Sequence, residues 1–109
     1  MPRNVHKSVI NALVLCGAIP VYVNPEMDNR LGISLGMQVS EVEKAILEHP
    51  KAVAVLVNNP TYYGICSDLR SIVKVAHAHG MKVLVDEAHG THLYFGENLP
   101  VCAMDAGAD

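Results

Sequence analysis

No apolar run in this 109-residue chain reaches about 18 residues, so nothing in it reads as a membrane span. No charged start followed by an apolar stretch is present, so no secretory leader is expected. Cysteine is scarce and unpaired: Cys16, Cys66 and Cys102 are odd in number and far apart, with no CxxC. That supports neither a zinc site nor a disulfide framework, and fits reduced thiols in the cytoplasm. Basic residues are outnumbered by acidic ones, 8 to 11, with a net charge of −3. No basic stripe exists, which argues against a nucleic-acid partner. Internal repeats, low-complexity tracts and linkers are also missing.

What is present is a globular composition, half hydrophobic and 17% charged. The mean hydropathy of +0.23 is high for one small domain. A chain of this length buries only roughly two-thirds of its unfolded surface, so such an apolar composition suggests missing neighbours. The ending at Ala108-Asp109, without a closing element, is read as a segment of a larger domain.

Three strands are expected: Ile19 to Val23, Ala52 to Val57 (AVAVLV) and Lys82 to Asp86 (KVLVD). Apolar runs without polar alternation predict strands buried on both faces, as in a parallel sheet. Helices alternate with them. Asn4 to Leu15 carries Val5, Val9, Ile10, Leu13 and Val14 at helical spacing, with Gly17 as the stop. Ser40 and Glu43 form an S-x-x-E capping box for a helix that Pro50 ends. Ser67 and Asp68 start a third helix, with Leu69, Ile72, Val73 and Ala76 on one face and Gly80 as its stop. Asn24 to Val39 is read as a long polar connection. The alternation predicts an α/β fold, a three-layer, mostly parallel sheet with flanking helices.

In an open parallel sheet, ligands sit beyond the carboxyl ends of the strands. Two polar stretches fall there, Asn58 to Gly64 and Asp86 to Gly90. Asp86 follows three apolar strand residues and should be partly buried, where a carboxylate needs a cation or donors. A protonated pyridine nitrogen would serve; position alone, however, favours an Asp that caps a loop, a common role for that residue. Asp86-Glu87-Ala88-His89 also resembles the Walker B motif of DEAH-box helicases. That reading needs a G-x-x-x-x-G-K-[ST] loop upstream, and the chain has none. His89 and His92 lie three apart, but Gly90-Thr91 reads as a loop, which removes the helical spacing a zinc pair needs. His77, His79 and His49 sit where helices end and favour the dipole and solvent. His6 by itself reads as an ordinary histidine near a helix start. Tyr62 and Tyr63 read first as packing aromatics, and second as a substrate wall.

Taken together, PRNVHKSVINAL (Pro2 to Leu13), GAIPVYVNPEMD (Gly17 to Asp28), NNPTYYGICSDL (Asn58 to Leu69), VLVDEAHGTHLYF (Val83 to Phe95) and LPVCAMDAGAD (Leu99 to Asp109) resemble the major domain of the Orn/Lys/Arg decarboxylases. The resemblance runs over nearly the whole chain in order. It implies a partial large domain of the aspartate-aminotransferase-like fold, binding pyridoxal 5′-phosphate (PLP). It also implies decarboxylation of arginine, lysine or ornithine and a homodimer or larger assembly in the parent.

The site residues follow by the same resemblance. His6 corresponds to the histidine stacked on the cofactor ring, Asp86 to the partner of its pyridinium nitrogen, and Ala88 to the small residue on the opposite ring face. His89 lies where cofactor or substrate approaches. Asn59 and Thr61 match the N-P-T turn near the cofactor's phenolic oxygen. No metal is implied.

Two family features have no match within the chain: the Ser/Thr-rich turn that holds the phosphate, and the cofactor-linking lysine in Ser-x-His-Lys. None of Lys7, Lys44, Lys51, Lys74 and Lys82 stands in that context. Residues 1–109 are therefore read as the central part of the domain, incomplete at both ends and inactive alone. Rival readings are a PLP-dependent acyltransferase of the α-oxoamine synthase type, a DEAH-type helicase fragment and a non-catalytic fragment.

Overall fold

A computed structural model describes all residues, 1–109. Its heart is a strand–helix–strand unit. Strand β3 (Ala54–Asn58) and strand β4 (Lys82–Asp86) pair in parallel, from Ala54 opposite Lys82 to Asn58 opposite Asp86. Between them runs α3 (Leu69–Ala78), whose N-cap Asp68 accepts a hydrogen bond from the Ser71 N–H at 3.2 Å. Gly80 follows at φ 70°, the left-handed turn that lets the chain leave a helix and enter β4. Leu69, Ile72, Val73 and Ala76 of α3 are buried. They join Val55, Val57 and Val83 of the strands, Val42 and Ile46 of α2 (Val39–Glu48), and Ala103 and Ala106 of α4 (Ala103–Ala106) in one core. Burying a residue such as Ile72 is worth ~1.5–3 kcal/mol. α3 packs against α2, β4 and α4. The fold is α/β, and no helix is long and apolar enough to cross a membrane.

Four expectations are corrected. Ile19–Val23 is not a strand; only an isolated bridge joins Val23 to Pro2. Pro20 has no N–H to give a ladder, and no neighbouring strand lies alongside. The capping box at Ser40 and Glu43 does not form. α2 begins at Val39 with Gln38 as N-cap and no side-chain cap, because Met37 is already fixed by donating its N–H to Ser67 Oγ at 2.9 Å. The connection Asn24 to Val39 is not irregular throughout: β1 (Met27–Asp28) and β2 (Ile33–Ser34) pair antiparallel. Asp28 Oδ1 accepts from the N–H groups of Arg30 and Leu31, and Gly32 closes the turn at φ 66°. Fourth, Gly90-Thr91 is not all loop, because Thr91–Tyr94 is a turn of 3-10 helix that contains His92.

The strands are also not buried on both faces. Val55, Val57 and Val83 point into the core, whereas Leu84 on the other face is 50% exposed. α1 (Lys7–Cys16) lies towards that face but buries none of its residues. A cavity of about 660 Å³ separates it from the sheet, lined by Val9, Leu13, Ile46, Leu56 and Leu84 among others. Ile10, Val14 and Leu15 of α1 are thus left exposed.

Candidate functional site

The β3–β4 ladder determines what gathers at its carboxyl end. Asn58 and Asp86 are its last register partners, and the Asn59 N–H donates to the Asp86 carbonyl at 2.9 Å. The loops that follow therefore leave the sheet side by side.

The half-buried Asp86 uses only one carboxylate oxygen within the chain: Oδ1 accepts from the Ala88 N–H at 3.2 Å, and Oδ2 accepts nothing. Ala88 and His89 are exposed in the same turn. The His89 ring meets Tyr62 edge-on, with centroids 5.5 Å apart, and Tyr62 meets Tyr63 likewise at 5.7 Å. Both tyrosines are exposed, so they form a surface ridge across the two loops rather than core packing.

Asn59 is fully buried. Its Oδ1 accepts from the Ser67 N–H at 2.7 Å, and its Nδ2 has no partner. A buried donor left unpaired costs ~1–3 kcal/mol, and Asn59 Nδ2 has no partner within the chain. Thr61, 2% exposed, closes a turn through its Oγ1, which accepts from the Ile65 N–H at 3.2 Å.

His6 stands apart. It is the exposed N-cap of α1, and its Nδ1 lies 2.9 Å from Ser8 Oγ and accepts from the Ser8 N–H. The structure thus brings Asn59, Thr61, Asp86, Ala88 and His89 together at the strand tips and gives His6 no contact with them. Neither the 660 Å³ cavity nor a smaller one of about 220 Å³ beside Cys66 is lined by any of these six residues.

Sequence reasoning passed over Glu87. Its Oε2 accepts from the Tyr94 hydroxyl at 2.6 Å and its Oε1 from the Ala103 N–H at 2.8 Å. The bond to Glu87 pushes the Tyr94 phenol up to about 12. Burial, and the Glu87 charge after it, raise the Cys66 thiol. The available signal was an acid directly after the strand-tip Asp86, with a tyrosine seven residues on.

The family model of the Orn/Lys/Arg decarboxylase major domain matches residues 1–109. The chain belongs to that family. Among curated relatives, arginine decarboxylase of Halalkalibacterium halodurans is 54% identical and arginine decarboxylase of Bacillus subtilis 53%, each over all 109 residues and 22% of the relative. Lysine decarboxylase LdcA of Pseudomonas aeruginosa is 32% identical over 87% of the chain and 14% of the relative. The chain thus spans about a fifth of the length of the arginine decarboxylases it matches. No solved structure matches it.

Proposed function

We propose that residues 1–109 are the central part of the PLP-binding major domain of a basic amino-acid decarboxylase. Arginine is the first substrate to test, because the relatives above 50% identity carry that name. Lysine and ornithine follow from the family. The β3–α3–β4 unit is read as part of a three-layer, mostly parallel, aspartate-aminotransferase-like sheet. The parent is read as a cytoplasmic homodimer or larger assembly.

The residues at the strand tips fit PLP. Asp86 Oδ2, unshared at a parallel strand tip, carries the reading: it offers a carboxylate oxygen to a protonated ring nitrogen. The orphaned Asn59 Nδ2 is a donor suited to a phenolic oxygen. Ala88 supplies a surface without bulk. When bound, PLP supplies a ring that takes up the electron pair left as carbon dioxide departs. Asp86 holds the proton at the ring nitrogen, since a nearby negative charge favours the cationic form. Ala88 would cover one ring face, with His89 on the approach side and Thr61 fixing the turn that carries Asn59; the role of His6 on the other face rests on the family resemblance alone. The chain contains no Ser-x-His-Lys, so it is expected to release no carbon dioxide by itself.

The test compares the 109-residue chain with the whole protein that carries it, each supplied with PLP and with arginine, lysine or ornithine. Carbon dioxide and amine release by the whole protein alone is expected. A whole protein that takes none of the three refutes the reading. A borohydride-trapped lysine in the isolated chain refutes its inactivity.

A further inference from the structure

Glu87 sits between the residues assigned to the site and is absorbed by none of those roles. Its two oxygens serve two different segments, the Tyr94 hydroxyl in the 3-10 turn and the Ala103 N–H at the start of α4. Its side chain runs beneath Gly90, where an added Cβ would lie 2.4 Å from Glu87 Cγ and 2.8 Å from Pro60 Cδ. Gly90 also donates its N–H to the Glu87 carbonyl at 2.8 Å. The loop after β4 therefore meets the Asn59-Pro60-Thr61 loop closely at Gly90, with the Glu87 side chain packed beside the same point. An ionised carboxylate accepts at both oxygens. A glutamine offers only one oxygen, and an aspartate is one methylene too short to span both donors.

We propose that Glu87 is a positioning residue: it clamps the Asp86–Gly90 turn to the chain that follows, so that Asp86, Ala88 and His89 hold one arrangement. The inference rests on the PLP reading of the strand tips. An end-cap for α4 alone would leave that turn untouched; a clamp on the turn governs how squarely Asp86 meets a ring nitrogen.

The test uses the whole protein with PLP, as wild type, Glu87→Gln and Glu87→Ala. In both variants the tyrosine that titrates near 12 should move back towards its ordinary value of 10.0. Amide exchange at Ala88 and Gly90, the hydrogen-bonded N–H groups of the turn, should quicken by about 10-fold or more, along with that at Ala103. kcat should fall about 10-fold with KM changed by less than about 2-fold, and the absorbance of bound PLP should shift. Glu87→Gln should retain more of each property than Glu87→Ala. Should Glu87→Ala fail to fold, the isosteric Glu87→Gln carries the comparison. A shifted tyrosine with unchanged exchange at Ala88 and Gly90, and unchanged kcat, overturns the proposal and leaves Glu87 a local tie. Wild-type protein that binds no PLP overturns the site reading instead, and the exchange data then report on the clamp separately.

Discussion

Asn59 donates its backbone N–H to the carbonyl of Asp86 at 2.9 Å, one step beyond the last paired residues of β3 and β4. The backbone of the central acid is thus held by the neighbouring strand as well as by its own. The amide whose Nδ2 lacks a partner belongs to the same residue, so one ladder step fixes two groups assigned to the ring.

The one-sided burial of the strands is testable. Ile72→Ala removes a side chain with 0% exposure from the α3–sheet core and should cost ~2–5 kcal/mol in urea denaturation. Leu84→Ala, on the face towards α1, should cost about 1 kcal/mol or less in the isolated chain. Equal costs in the whole protein would mean that segments outside residues 1–109 cover this face.

Gly90→Ala should destabilise by ~1–3 kcal/mol, because its Cβ has to displace both Glu87 Cγ and Pro60 Cδ. The φ of −108° at Gly90 is open to any residue, so the cost is one of space rather than backbone strain. A stability within about 0.5 kcal/mol of wild type would mean the two loops separate easily.

How far the fold could be read from the sequence follows how local each determinant is. β4 was legible to the residue, since KVLVD ends at the polar Asp86. α3 was legible because Asp68 caps it and Gly80 ends it within a clear apolar stripe. Ile19 to Val23 misled because β-branched residues suit a sheet but do not supply a partner strand. The box at Ser40 and Glu43 lost to a contact 30 residues away, Met37 with Ser67. The β1–β2 hairpin has two residues per strand, too few for any periodicity. At the site, Asp86 was singled out by its place after three apolar strand residues, and Ala88, His89, Asn59 and Thr61 through resemblance; all five lie at the carboxyl end of the β3–β4 ladder. Glu87 was missed because its bond to Ala103 spans 16 residues and leaves no local pattern.

Alkaline titration should report the Glu87–Tyr94 bond. The Tyr94 phenol rises from 10.0 to about 12, chiefly through that bond. A raised folded value means the protonated phenol is stabilised, so the contribution is complete below about pH 10 and is lost as pH climbs from about 10 to about 12. Tyr94→Phe should flatten the stability profile in that window and leave it unchanged at pH 7 to 9, apart from a constant offset. An unaltered slope between pH 10 and 12 would place the bond elsewhere.

The opposite sign applies at Asp109. Its carboxylate is held well below the usual range by Lys82 at 2.6 Å, the Val83 N–H at 2.9 Å and His77 at 2.8 Å. A lowered folded value means stability present above the unfolded value, about 4, and lost as pH falls below it. Asp109→Asn should reduce the acid dependence of thermal unfolding below about pH 4. A melting curve with the same acid dependence as wild type would refute this tie of α3 to β4.

Asp86 separates charge from shape. Asp86→Asn keeps an oxygen for the Ala88 N–H and nearly the same volume, so the turn should fold with little change in melting temperature. What it removes is the negative charge that keeps a ring nitrogen protonated. In the whole protein, kcat should therefore drop by on the order of 10²–10³ or more, as when a preorganised electrostatic partner is lost. Asp86→Ala should match that rate loss with a stability change of about 0.5 kcal/mol or less, because the exposed Ala88 N–H turns to water. If Asp86→Asn turned over at the wild-type rate, the carboxylate would be a loop cap, as its position alone first suggests, and the ring nitrogen would have to find its partner on another residue.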